Sequence, residues 1–358
     1  MTGTAQHEAW ARRVLPPAER VRPGLWSIPV PIPDSPLRYT LSYAFVTDSG
    51  TVIVDPGWDT PEGRRALDDG LAGAGASLGD VTGVVVTHIH PDHHGLSGWL
   101  RDSSGAWIAM HPAEAQTLPA RRWRGRGEDV DRDWLRLHGV PDDEAATIAI
   151  DPARLADVFR MVEPDRHLDD GDRVPIDGHD VRAVWTPGHT PGHLCLHDTT
   201  AGVLLTGDHL LPRISPNIGV HSGSDGDPLT AYLDSLDRTV AFHADEALPA
   251  HEYRFRGLDR RVAELKDHHR ERAAETLAIL DRLARPTTWA VAAELTWSRG
   301  WPALHGMMRR MALAETLAHL RHLVSAGTLD EPTGTPLLWR CSVHSGHESR
   351  AAIGRPRP

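Results

Sequence analysis

An α/β sandwich is the fold class that this 358-residue sequence predicts, and three observations predict it. Short β-branched runs recur through the first two thirds of the chain, helical patterns separate and follow them, and several of the runs end on a histidine or an aspartate. The third observation is local: THIHPDHHG, residues 87–95, places four histidines and an aspartate directly after VTGVVV. Clustered imidazoles repel once protonated and lose solvation if buried alone, so such a group calls for a bound cation.

Taken in order, the opening MTGTAQHEAWARRVLPPAER has no apolar signal-like core. GLWSIPVPI, YTLSYAFVT and GTVIVDPG, within residues 24–57, read as a meander of strands, and PEGRRALDDGLAGAG, residues 61–75, as a helix with a glycine-rich exit. VTGVVVT is too short and too β-branched for a helix, which makes it a buried strand delivering the histidine cluster at its C-terminal end. VRAVWTPGH, VLLTGDH and EALPAH repeat that arrangement, so four strand ends can converge on one sheet edge. Between them, residues 113–166 are polar, and DEAATIAI and ARLADVFRM predict a helical insertion lying partly as a lid over the site. A loop then leads into an amphipathic helix with Leu229, Leu233 and Leu236 on one face.

Past residue 257 the pattern changes. VAELKDHHRERAAETLAILDRLA, PTTWAVAAEL with a threonine cap, and MALAETLAHLRHLVSAG read as three helices, and TLDE with PLLWRCSV as a short hairpin. The expected division is a catalytic domain at 1–257 and a small winged-helix-like domain at 258–358.

Composition narrows the function. A formal charge of −11 argues against affinity built on phosphate neutralisation. Among the basic residues of the last helix only Arg309, Arg310 and Arg321 offer themselves to nucleic acid. No stretch approaches the roughly 20 apolar residues of a membrane span, and two cysteines, Cys195 and Cys341, are too few for a disulfide framework. The expectation is a cytoplasmic protein acting on a small molecule, with self-association open to it.

Spacing then sorts the ligands. His88 and His90 are two apart on an extended segment and leave the same face; Asp92 and His93 follow across Pro91, where a turn into a helix swings them toward a second ion. His189 completes three nitrogens with His88 and His90, His251 joins Asp92 and His93, and the two oxygens of Asp208 can bridge both ions. Such a nitrogen and oxygen set without thiolate suits zinc, and also manganese or iron. His94, His193 and His209 adjoin ligands and are expected to support them rather than bind metal. His111 is open to a capping, surface or cleft position, and His221, His243, His268 and His269 are expected on the surface. Tyr232 either reaches the site as a hydrogen-bond donor or packs on the sandwich, and Arg254 and Arg256 are candidates for an anionic group of the substrate.

The order H-x-H-x-D-H, then G-H, then D, then H resembles the metallo-β-lactamase superfamily over roughly residues 20–257. That resemblance implies an αββα sandwich with a dinuclear metal site at one edge, two Zn2+ with Mn2+ or Fe2+ as alternatives. An aspartate at the bridging position, here Asp208, is similar to the glyoxalase II, lactonase and endoribonuclease branches and unlike true β-lactamases. The C-terminal pattern resembles the appendage of the endoribonuclease-like branch. Two ions sharing a water lower its pKa toward 7 and yield a nucleophile at neutral pH, with Asp92 or Asp208 managing the proton. The reading is therefore a dinuclear hydrolase of a small ester, thioester or lactone. Its alternatives are a phosphodiesterase or endoribonuclease acting on single-stranded RNA, and a mononuclear iron sulfur-dioxygenase.

Overall fold

The computed structural model describes residues 1–119, 129–150, 161–224 and 226–342. The chain enters through a helix absent from the sequence reading, α1 (Thr4–Arg12), and then builds β1 (Glu19–Arg22), β2 (Leu25–Pro31), β3 (Tyr39–Thr47) and β4 (Gly50–Val54) as an antiparallel meander. Helix α2 (Pro61–Gly73) starts on Thr60, whose side chain accepts from Gly63 N–H, and crosses to β5 (Val81–Val85), which runs parallel to β4. Two short helices, α3 (Pro91–His94) and α4 (Ser97–Ser104), lead to β6 (Trp107–Met110), α5 (Pro112–Ala115) and, further on, β7 (Arg166–His167), completing a seven-stranded sheet in sequence order.

The second sheet has five strands: β8 (Arg173–Val174), β9 (Val181–Trp185), β10 (Leu194–Asp198), β11 (Val203–Gly207) and β12 (Glu246–Pro249), with α8 (Pro228–Val240) between the last two. Period-2 alternation decides which residues fill the space between the sheets. Leu41, Tyr43 and Phe45 of β3, Val52 and Val54 of β4 and Val85 of β5 meet Val181, Ala183, Leu194, Leu196, Val203 and Leu205 from the opposite sheet. Their neighbours Ala44, Ile53, Val84 and Val86 point outward, where Leu67 and Leu71 of α2 and Leu100 of α4 cover them. Each fully buried aliphatic or aromatic side chain contributes roughly 1.5–3 kcal/mol, so this alternation holds the αββα sandwich together.

Residues divide into two compact units: Met1–Gly125, Asp151–Pro216 and Ala231–Leu265 form one, and Arg126–Ile150, Asn217–Thr230 and Lys266–Pro358 the other. The division differs from a cut at residue 257. Helices α6 (Asp129–Leu137) and α7 (Asp142–Ile148), expected as a lid, put Leu135, Ala145 and Ile148 into one apolar cluster with Ala292 and Leu313 of the second unit. ARLADVFRM falls at residues 153–161, and all but its last residue lie outside the described residues.

The second unit also contains most of α9 (Leu258–Leu283), then α10 (Thr288–Glu294) and α11 (Gly306–Ser325), with Thr287 capping α10 through Ala290 N–H. In place of hairpin strands, isolated antiparallel bridges join Leu329 to Cys341 and Thr333 to Leu338. Arg309 and Arg310, expected to be available at the surface, are buried. Arg310 grips Asp131 with both nitrogens at 2.5 and 2.9 Å, and Arg309 meets Glu144 at 2.6 Å. His269 is buried as well, its Nδ1 3.3 Å from His319 Nε2. No helix among the described residues is long and apolar enough to cross a membrane.

Candidate metal centre

Strand direction brings the site together. β9, β11 and β12 run the same way, since β9 and β11 are both antiparallel to β10 and β12 is parallel to β11. Their C-terminal ends therefore share one edge, and there the chain places His189, Asp208 and His251. β5 delivers His88 and His90 from the other sheet, and Pro91 starts α3 so that Asp92 and His93 fall in its first turn.

All seven sequence-predicted ligands come together, in two groups. His88, His90, His189 and Asp208 form one and Asp92, His93 and His251 the other, with the donor atoms of each group within 4.8 Å of one another. In the first group His90 Nδ1 lies 2.9 Å from His88 Nε2 and 3.1 Å from His189 Nε2. In the second, His251 Nε2 lies 3.4 Å from Asp92 Oδ2. Asp208 links them: its Oδ1 is 3.2 Å from His251 Nε2 and 3.6 Å from His93 Nε2, and its Oδ2 is 3.6 Å from His189 Nε2.

The donor set fits bound metal. Nε2 of His93, Nε2 of His251 and Oδ1 of Asp208 are buried and make no well-formed hydrogen bond, an arrangement that costs free energy unless an ion meets them. Burial and the neighbouring imidazoles His93, His90 and His189 hold His88 well below the ordinary histidine range. Burial works against charge on His93 and His251 too, yet the carboxylates of Asp208 and Asp92, with Asp55 beside His93, outweigh it and push both upward. Burial of Asp208 is likewise overcome by His251, His93 and His189, which hold its carboxyl far down. The site is a set of anions and lone pairs that demands positive charge at its centre.

Three of the candidate ligands are aimed by partners outside the two groups. His93 Nδ1 donates to Asp55 Oδ2 at 2.9 Å, and His251 Nδ1 donates to the Tyr39 carbonyl at 3.0 Å. Thr87 Oγ1 donates to the same Asp55 carboxylate at 2.7 Å and so accepts from His88 Nδ1 at 3.0 Å. These bonds turn the Nε2 lone pairs of His88, His93 and His251 inward. His193 accepts from Asp208 N–H on Nε2 and donates its Nδ1–H to Thr186 Oγ1.

The sequence reading did not single out Asp55, although it follows the strand GTVIV as a potential ligand follows each of the other site-bearing strands. It sits at φ 52°, a left-handed conformation that aspartate tolerates better than most residues. Glu114 was missed as well, and nothing in HPAEA signals it. It is fully buried, and burial pushes its carboxyl up to about 7 against the N–H groups it accepts.

Of the neighbouring histidines, His94 spans Ser97 Oγ and the Val162 carbonyl, and His209 bonds Thr239 Oγ1. His111 caps α5 through Ala113 N–H and stacks on Trp185. Of the candidate substrate contacts, Tyr232 and Arg254 are engaged inside the protein. Tyr232 is fully buried, with its hydroxyl donating to the His209 carbonyl, because the inward face of α8 is Leu229, Tyr232 and Leu236 while Leu233 turns partly out. Arg254 is buried and paired with Glu19 and Glu246, so its charge is already neutralised. Arg256 is exposed.

The family model described as the metallo-beta-lactamase superfamily matches residues 35–251. A metallo-beta-lactamase family protein from Thermus thermophilus superposes with a TM-score of 0.76 at 33% identity, covering 90% of this chain and 100% of that one. The probable metallo-hydrolase YqjP of Bacillus subtilis is 27% identical over 283 residues, 77% of this chain and 85% of that protein. The acyl-coenzyme A thioesterase MBLAC2 of Bos taurus is 33% identical over 127 residues, 35% of this chain and 39% of that enzyme.

Proposed function

The chain belongs to the metallo-β-lactamase superfamily as a metallo-hydrolase, and from that premise we propose that it hydrolyses a small thioester, ester or lactone with two divalent ions. The observation that carries the reading is the shared carboxylate: Asp208 stands between two otherwise complete groups of donors. When bound, the ions supply Lewis acidity and an activated water.

The rest is done by the chain. His88, His90 and His189 hold one position, and Asp92, His93 and His251 the other. Asp92, whose side chain is 12% exposed, is placed to hold the proton that the attacking water releases and to hand it to the leaving group. Zinc is the first expectation for a set of imidazoles and carboxylates, with manganese and iron next. The completeness of the second group favours two ions over a mononuclear dioxygenase.

The name of the bovine relative supports thioesters among the candidate substrates. Asp208 at the shared position supports a hydrolase of the glyoxalase II or lactonase kind over a β-lactamase. The helices of the second unit fit a winged-helix-like appendage, but with Arg309 and Arg310 engaged by carboxylates the endoribonuclease reading loses two of its three candidate phosphate contacts.

Elemental analysis of metal-replete protein tests the first half of the proposal, with about two ions per chain expected. A screen of the zinc- and manganese-loaded protein against thioesters, lactones, bis-p-nitrophenyl phosphate and single-stranded RNA tests the second. One tight ion, or turnover confined to the phosphodiesters, overturns it.

A further inference from the structure

Glu114 makes no hydrogen bond to any of the seven candidate ligands, yet it is bonded to both chain segments that carry the three histidines of the first group. Its Oε1 accepts from Ile89 N–H at 2.8 Å, and Ile89 lies between His88 and His90. Its Oε2 accepts from Gly192 N–H at 2.8 Å, three residues after His189. The two segments come from different sheets, and one buried carboxylate ties them together through backbone atoms. Gly192 leaves room for nothing else: a Cβ there would lie 2.3 Å from the Glu114 nitrogen and 2.6 Å from its Cβ.

The second group is held by other means. His93 leans on Asp55 and His251 on the Tyr39 carbonyl, and Glu114 bonds to neither segment. We infer that Glu114 is a positioning residue for the first metal position alone: it fixes the spacing of His88 and His90 against His189 by clamping the Ile89 and Gly192 amides. The inference rests on the metal-centre reading above. A carboxylate is what the task requires, because two N–H donors from two segments need two acceptor oxygens. Glutamine supplies one oxygen and turns an NH2 toward the other amide, so it retains the shape and loses half the clamp.

The test isolates each metal position. In a His251→Ala background the first position remains, and in a His189→Ala background the second. Zn2+ affinity is then measured in both by competition with a chromophoric chelator. Adding Glu114→Gln should weaken the ion in the His251→Ala protein by about tenfold or more, the usual scale for residues that orient ligands, and leave the ion in the His189→Ala protein within about threefold. Gly192→Ala, which displaces Glu114 from the other side, should reproduce the same selective loss with the carboxylate intact.

Thermal melting of the metal-free Glu114→Gln chain separates positioning from a general loss of fold, and a midpoint close to that of the unsubstituted chain is expected. Equal weakening in both backgrounds, or no weakening in either, overturns the inference while leaving a two-ion centre standing. An unsubstituted chain that takes up no Zn2+ overturns the metal-centre reading, and this inference with it.

Discussion

Asp208 is the residue that lies against both groups of donors, with Oδ1 toward His251 and His93 and Oδ2 toward His189. Asp208→Ala should therefore lower retention of the second ion and reduce turnover by at least about a hundredfold, measured as metal content and kcat on the best substrate found. Near-normal turnover with two ions retained would remove Asp208 from the ligand set. Tyr232 makes the opposite case. Its hydroxyl serves the His209 carbonyl inside the core, so Tyr232→Phe should cost about 1 kcal/mol of stability and leave kcat unchanged. A loss of kcat without a loss of stability would return Tyr232 to the substrate. Single-residue identity was enough to nominate the seven donors that the fold brings together, because histidine and aspartate have few other reasons to cluster. It was not enough for Tyr232 or Arg254, whose chemistry serves a core or an ion pair as well as a substrate.

The element that shows most about local design is the turn TPGH. Gly188 has φ 143° and lies against the backbone of α8, where an added Cβ would stand 2.4 Å from Tyr232 Cβ and 2.6 Å from its Cα. Only glycine lets the loop pass the helix and present His189 to the site. Gly188→Ala should displace either the loop or α8, costing about 1–3 kcal/mol in thermal or chemical denaturation and weakening the ion at the His189 position. An alanine variant with unchanged melting and metal affinity would show that the contact gives way freely. In the second unit, the buried pair of Arg310 with Asp131 joins α11 to α6. Arg310→Ala leaves Asp131 buried without its cation and should destabilise that unit by about 3–5 kcal/mol, read by denaturation. A neutral effect would mean that the pair is solvated. Strands and long helices were legible because their periodicity is written in consecutive residues. The placement of α6 and α7 was not, because their apolar faces do not say which partner they bury against.

At the scale of the whole molecule, buried histidines make stability sensitive to acid, and the second unit shows how. In the second, burial holds His138 and His319 at about 4, so the folded unit keeps them neutral where the unfolded chain takes up protons. Their contribution is complete above about pH 6.5 and is lost as pH falls toward 4, at about 1.4 kcal/mol per pH unit for each histidine. Asp131 adds to this at lower pH: burial opposes its charge, but Arg310 prevails and depresses its carboxyl, so its share is present above the ordinary aspartate range and lost below it. Hydrogen exchange resolved by segment should show α6, α10 and α11 losing protection between pH 6.5 and 4.5, and His138→Gln should flatten that slope. Protection independent of pH in this window would mean that these histidines are already solvated.

The sequence by itself determined the α/β fold class and the address of seven candidate donors at the ends of four strands, while the order of those donors along the chain carried the resemblance to the superfamily. These follow from signals confined to a few neighbouring residues, namely period-2 alternation, the two-residue step from His88 to His90, and the proline turn before Asp92. Only the tertiary structure decided what stands behind the donors and where the units divide. Asp55 beside His93, Glu114 across Ile89 and Gly192, and Arg310 in Asp131 are pairings between residues 38, 25, 78 and 179 positions apart. A buried polar group must find some partner, but the sequence states only the need, and the partner is fixed by which segments the hydrophobic core brings face to face.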